Sequence, residues 1–150
     1  MSATDVALRL RIVPGDGSTY GDEERDTFYG AMAYIGSLLA KHGVPVIFDA
    51  TANRRAYRAA GRKAIERFVE VYVDCPLDVC IGRDPKGVYR KGRLGEASTV
   101  PGIQASYEAP DRAIVVVFGH RESPQSAAHT IVRALEDRGY LTRQSLAATP

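Results

Sequence analysis

The chain is poor in the residues that staple small domains or hold metals. Its two cysteines, Cys75 and Cys80, lie in "VDCPLDVC". They form no disulfide framework and, without further ligands, no metal-ligand spacing, so both read as reduced and structural. His42, His120 and His129 show no metal spacing either and read as surface or helix-end residues. No apolar run approaches the roughly 18–20 residues that a membrane-spanning helix needs. "MSATDVALRLR" at the start lacks the apolar centre of a signal peptide, so the expected compartment is the cytoplasm and no membrane partner is expected. The formal net charge is only +2, which gives the chain as a whole no electrostatic case for nucleic acid. Internal repeats, domain linkers, low-complexity tracts and a nucleophile-elbow signature are absent from the sequence.

With 45% hydrophobic and 25% charged residues, the 150-residue chain reads as a single ordinary globular domain, 1–150, with 142–150 as a frayed tail. "GDEERDTFYGAMAYIGSLLAKHG" has an acidic opening, a stripe of Phe28, Met32, Ile35, Leu38 and Leu39, and a stop at Gly43, which predicts an amphipathic helix. Tyr29 and Tyr34 fall near that stripe and read as packing residues. "NRRAYRAAGRKAIERF" favours helix by composition. "PLDVCIGR" reads as a short helix with Pro76 in its first turn, and a last helix runs from about Ser123 to Gly139. Between them lie three apolar runs, predicted as strands near Val44–Asp49, Phe68–Asp74 and Ala113–Phe118. Strands separated by helices or long crossovers pair in parallel, so the fold class is α/β.

One stretch is unusually cationic. "RDPKGVYRKGRLGE", residues 83–96, holds five basic side chains, three glycines and one proline, and reads as a mobile surface segment suited to phosphate or sulfate.

"FVEVYVDCPLDVCIGRDPKGVYRKGRLGE" followed by "VPGIQASYEAP" resembles adenylyl-sulfate kinase, with its D-P-K-G-[LIV]-Y and G-I-x-x-x-Y-E-x-P segments in that order. The similarity runs from about Tyr20 to Leu141. It implies a three-layer P-loop kinase-like parallel sheet and transfer of the γ-phosphoryl group of ATP to the 3′-hydroxyl of adenosine 5′-phosphosulfate in sulfate assimilation. Mg2+ would bridge the phosphates, and a homodimer is admitted. By position, the resemblance makes Arg25 the arginine that holds the phosphosulfate nucleotide and Lys86 the lid lysine reaching it. Arg9, Asn53, Tyr89 and Gly102 join them as substrate-binding residues. Arg83, Arg90 and Lys91 fall to the ATP side. Lid cations such as Lys86, Arg90, Lys91 and Arg93 answer the demand of phosphoryl transfer for positive charge and exclusion of water.

The departures are as specific as the match. The family's Walker A loop, G-x-x-x-x-G-K-[ST], is absent from these 150 residues: Lys41, Lys63, Lys86 and Lys91 follow Ala, Arg, Pro and Arg. "PGDGSTYG" lacks the lysine. The fold is therefore expected as an N-terminally truncated version, with a core gap that favours marginal stability or oligomerisation. "VALRLRIV" reads as a short helix or edge strand. Asp5, with Arg9, is a candidate remnant of a magnesium-assisting D-G-D-x-x-R element, for which Asp16 competes. Val100 and Pro101 stand where the family has phenylalanine and threonine, Gln104 replaces its aspartate, and Phe28 its helix asparagine. The expected function is thus adenylyl-sulfate kinase-like, with negligible activity for the chain as given. The alternatives are a related P-loop kinase for another hydroxylated small molecule and a non-catalytic nucleotide-binding protein.

Overall fold

The computed structural model describes residues 21–97 and 99–141, in two compact units. One unit comprises the described residues of Met1–Phe68 and Pro85–Ala109. The other comprises those of Val69–Asp84 and Pro110–Pro150. "VALRLRIV", Asp5, Arg9, Asp16 and the 142–150 tail lie outside the described residues.

The first unit is built on α1, Asp22–Lys41, which starts and stops where its sequence says. Gly21 N–H donates to Glu24 Oε2 at 2.9 Å, and Asp22, Glu23 and Glu24 face the positive end of the helix dipole. At the other end Gly43 takes a left-handed φ of 74°, and Val44 N–H donates back to Leu39 O at 3.0 Å. The apolar stripe is only half covered. Leu38 is exposed, Tyr34 points outward with 69% of its surface accessible, and it is therefore no packing residue.

The predicted strand at 44–49 does not form, and residues 44–50 carry no regular structure. Pro45 removes a ladder donor, and Ile47 is 85% exposed. Phe48 instead turns onto α1, where a Cβ at Gly36 would lie 2.7 Å from its Cε2 and 3.1 Å from Ile65 Cδ1. The next helix, α2, spans Arg55–Ala64 and packs along α1. It ends before the predicted limit because Ile65 is extended and Phe68 folds back onto Gly61, whose Cβ would meet its ring at 2.9 Å.

In the second unit, β1, Val71–Asp74, runs parallel to β2, Val115–Phe118, with Val71 opposite Val115 and Asp74 opposite Phe118. Both strands are shorter than predicted. Val115 and Val117 are buried, whereas Val116 and Phe118 on the opposite face stay exposed. The short helix α3, Leu77–Arg83, follows β1, with Pro76 at its N-cap instead of inside its first turn.

The cationic stretch is more ordered than predicted: α4, Val88–Arg93, occupies its middle and belongs to the first unit. Gly87, at a left-handed φ of 66°, turns the chain into it. In the second unit α5, Pro124–Asp137, packs on β2. Its cap is Ser123, whose Oγ accepts from Ser126 N–H at 3.2 Å, with Pro124 at the first helical position.

Packing at Gly36 sets the approach of α1 to residues 48 and 65. Gly36→Val places new methyl groups against the Phe48 ring, and we expect a loss of about 1–3 kcal/mol of stability, read from urea unfolding.

Candidate functional site

Buried polar residues are costly unless they are bonded. Among the described residues of the first unit two occur, Arg25 at 8% exposure and Asn53 at 4%, and they touch each other. Arg25 sits in the first turn of α1, yet its fork leaves the helix. Nη1 donates to Asn53 Oδ1 at 3.1 Å, and Nη2 donates to Thr99 O at 2.6 Å and Thr99 Oγ1 at 2.9 Å. Asn53 Nδ2 in turn donates to Ser106 O at 3.1 Å, and Glu108 N–H donates to Asn53 O at 2.8 Å. One guanidinium and one amide thereby fasten α1, the turn before α2 and the 99–108 loop together.

The turn that presents Asn53 is strained. Ala52 has φ 39°, in the left-handed region that side chains other than glycine rarely adopt. Its N–H donates to Tyr29 Oη at 2.8 Å, and its carbonyl accepts from Arg58 Nη1. Tyr29 is fixed by stacking on Tyr57, with centroids 4.2 Å apart and planes at 17°. Tyr57 Oη donates to Asp26 Oδ1 at 2.7 Å, and Arg54 bridges to Asp22 and Asp26 at 2.5 and 3.7 Å. Burial, and then the bond to Asp26, push the Tyr57 phenol up to about 12. The same surface pairs raise the Arg54 guanidinium, with Asp22 the leading cause.

The other sequence-predicted residues are placed as follows. Lys86, Arg90 and Lys91 are exposed on and just before α4, and Tyr89 is half-buried on the same helix. Gly102 is exposed at φ 88° in the loop that Arg25 and Asn53 hold, and its N–H donates to Ala105 O at 2.7 Å. Arg83 ends α3 in the second unit, where its Nη1 donates to Gly119 O at 2.7 Å. The structure thus joins Arg25, Asn53 and the Gly102 loop in one bonded node. Sequence reasoning missed Thr99, which carries no motif signal. It also read Gln104 and Tyr29 only as a departure and a packing residue. Val100, where the resemblance has an aromatic residue, is 5% exposed and packs against Gly92.

Among the described residues no group of three or more His, Cys, Asp and Glu could hold a metal, and no helix is long and apolar enough to cross a membrane. Both cysteines are free thiols.

Comparison with known proteins gives a consistent result. The family model Adenylylsulphate kinase matches residues 9–118, beginning before the resemblance at Tyr20 and stopping at the end of β2. The Adenylyl-sulfate kinase of Synechococcus sp. is 34% identical over 134 residues, covering 89% of this chain and 75% of the relative. That of Rippkaea orientalis is 35% identical over 147 residues, covering 93% and 81%. The APS kinase of Mycobacterium tuberculosis, solved in complex with AMPPNP and APS, superposes with a TM-score of 0.71 at 30% identity, over 78% of this chain and 69% of that one. The α/β fold is therefore that of the P-loop kinases.

Tyr57 makes this corner pH-sensitive in a definite direction. Its folded-state value lies above the ordinary 10.0, so the stabilisation is complete below pH 10 and is lost as pH rises toward 12. The stability gap between the parent chain and Tyr57→Phe should narrow across that window in urea titrations.

Proposed function

We propose that this chain, which belongs to the adenylylsulphate kinase family, recognises adenosine 5′-phosphosulfate through its first unit. The observation that carries the reading is the bonded node of Arg25, Asn53 and Thr99, two of whose three residues, Arg25 and Asn53, the resemblance assigns to substrate. Nucleotide phosphate and sulfate are anions, and charge-assisted bonds from a planar guanidinium are about twice as strong as neutral ones. Asn53 and Thr99 hold the Arg25 fork in one orientation, so little side-chain entropy remains to be lost when a ligand arrives. Lys86, just before the same unit's α4, and Arg90 and Lys91 on it add exposed, screened positive charge. Arg9, Tyr89 and Gly102 complete the substrate side of this reading, and Arg83 its ATP side.

ATP is the phosphoryl donor the family implies, with Mg2+ on its phosphates. The donor set present does not fit that group. The sequence has no Walker A loop to cradle a triphosphate, and the described residues assemble no metal-holding cluster. The chain binds its nucleotide, and phosphoryl transfer by these 150 residues is negligible. The cytoplasm and a homodimeric assembly belong to the same reading.

A second reading, a related kinase for another hydroxylated small molecule, is favoured by Val100. Its side chain is committed to packing against Gly92 and offers no aromatic face for a base.

Calorimetry with adenosine 5′-phosphosulfate and a coupled kinase assay test the proposal. We expect weak binding that fades with added salt, roughly tenfold weaker for Arg25→Ala and about two- to fivefold weaker for Lys86→Ala, with no measurable turnover. Turnover by the 150-residue chain at an ordinary enzymatic rate would refute the separation of binding from transfer. Binding of a different alcohol's phosphate in preference would favour the second reading.

A further inference from the structure

Gln104 lies in the Val100–Ala105 turn but reaches a different element. Its Nε2 donates to Gly92 O near the end of α4 at 2.6 Å, while its Oε1 accepts from Val100 N–H at 3.0 Å. Main-chain bonds make the turn a firm base: the N–H groups of Ile103, Gln104 and Ala105 donate to Val100 O at 3.1, 3.0 and 3.2 Å. Late carbonyls of a short helix lack an intrahelical donor. The other main-chain donor to Gly92 O, Gly95 N–H, is at 3.3 Å, so the side-chain amide makes the shorter bond.

Close approach reinforces the bridge. Gly92 is buried, and a Cβ there would lie 3.0 Å from Val100 Cγ2 and 3.3 Å from Gln104 Nε2. One residue before Val100, Thr99 receives the fork of Arg25. A continuous chain of contacts therefore runs from the buried guanidinium through the loop and the Gln104 amide to the helix carrying Arg90, Lys91 and Arg93.

We propose that Gln104 is a positioning residue that tethers the basic helix α4 to the loop held by Arg25, and so sets where the helix cations stand relative to the node. That these cations serve a nucleotide anion rests on the functional reading above; the tether itself does not. The bridge needs a side chain that donates and accepts at once. A carboxylate at this position, as in the aspartate pattern the sequence departs from, accepts from Val100 N–H but has nothing to donate to Gly92 O.

The test uses the full chain, its Gln104→Glu and Gln104→Met variants, and Gly92→Ala, which keeps the amide but crowds the contact. Tryptic cleavage after Arg90, Lys91 and Arg93 is followed by mass spectrometry, beside urea unfolding and calorimetry with adenosine 5′-phosphosulfate. All three variants should be cut at those bonds roughly fivefold faster or more, with the urea midpoint nearly unchanged, because a local bond is lost and not the global fold. Nucleotide affinity should fall by a similar factor. Cleavage at the parent rate overturns the proposal. Faster cleavage that merely tracks a lowered urea midpoint also overturns it, leaving general structural support, whereas faster cleavage with unchanged affinity upholds the tether and overturns its bearing on the nucleotide. Absence of binding by the parent chain strikes the functional reading instead, and the cleavage arm then decides the tether alone.

Discussion

A guanidinium that stays charged must be solvated by something, and Arg25 is solvated by the protein. Removing it from water is offset only if its planar donors find acceptors of matching geometry. Asn53 and Thr99 supply them for Nη1 and Nη2, and both are far away in sequence, 28 and 74 positions from Arg25. That demand fixes the neighbourhood. The turn at 51–53 must aim an amide at the fork, so Ala52 accepts a left-handed backbone conformation, and Tyr29 and Arg58 hold it there. Strain of this kind persists only where surrounding contacts over-determine it. Here the stack of Tyr29 on Tyr57 and the Tyr57–Asp26 bond supply the surplus constraint.

The cations of the unit fall into two kinds with different physics. Arg25 is buried and oriented, so its field acts in a medium of lower effective dielectric and is weakly screened by salt. Lys86, Arg90 and Lys91 are exposed, and exposed charges of this kind are strongly screened in physiological salt. The helix that carries Arg90 and Lys91 meets the loop through uncharged contacts: the packing of Val100 on Gly92 and the two bonds of Gln104. Val100 is committed to this packing, its Cγ2 standing 3.0 Å from where a Cβ on Gly92 would lie.

Local signals were legible and non-local ones were not. The acidic start, apolar stripe and glycine stop of α1 are all short-range features, and the helix runs from Asp22 to Lys41 as they imply. Ser123 and Pro124 likewise mark the start of α5. "VPVIFDA" misled because a short apolar run has no periodicity to distinguish a strand from extended chain, and strand formation depends on a partner that the run itself does not reveal. Arg25 and Asn53 were named from the resemblance, but their meeting, and the part of Thr99, depend on contacts closed across loops. Gln104 was visible only as an absent carboxylate. Its value lies in having both a donor and an acceptor, which becomes apparent once Gly92 O and Val100 N–H stand on either side of it.

Binding and phosphoryl transfer make separable demands on such a protein. Holding a phosphosulfate needs oriented cations on a rigid scaffold, and the proposed reading draws on the Arg25 node for that. Moving a phosphoryl group needs, in addition, donors aimed at charge that develops on the β- and γ-phosphates in the transition state. In P-loop folds that task falls to backbone amides of a glycine-rich loop and its lysine, a combination that occurs nowhere in these 150 residues. A cation that neutralises the acceptor equally in the ground state and the transition state does not take that task over. Uniform binding of that kind tightens the complex without lowering the barrier of the chemical step.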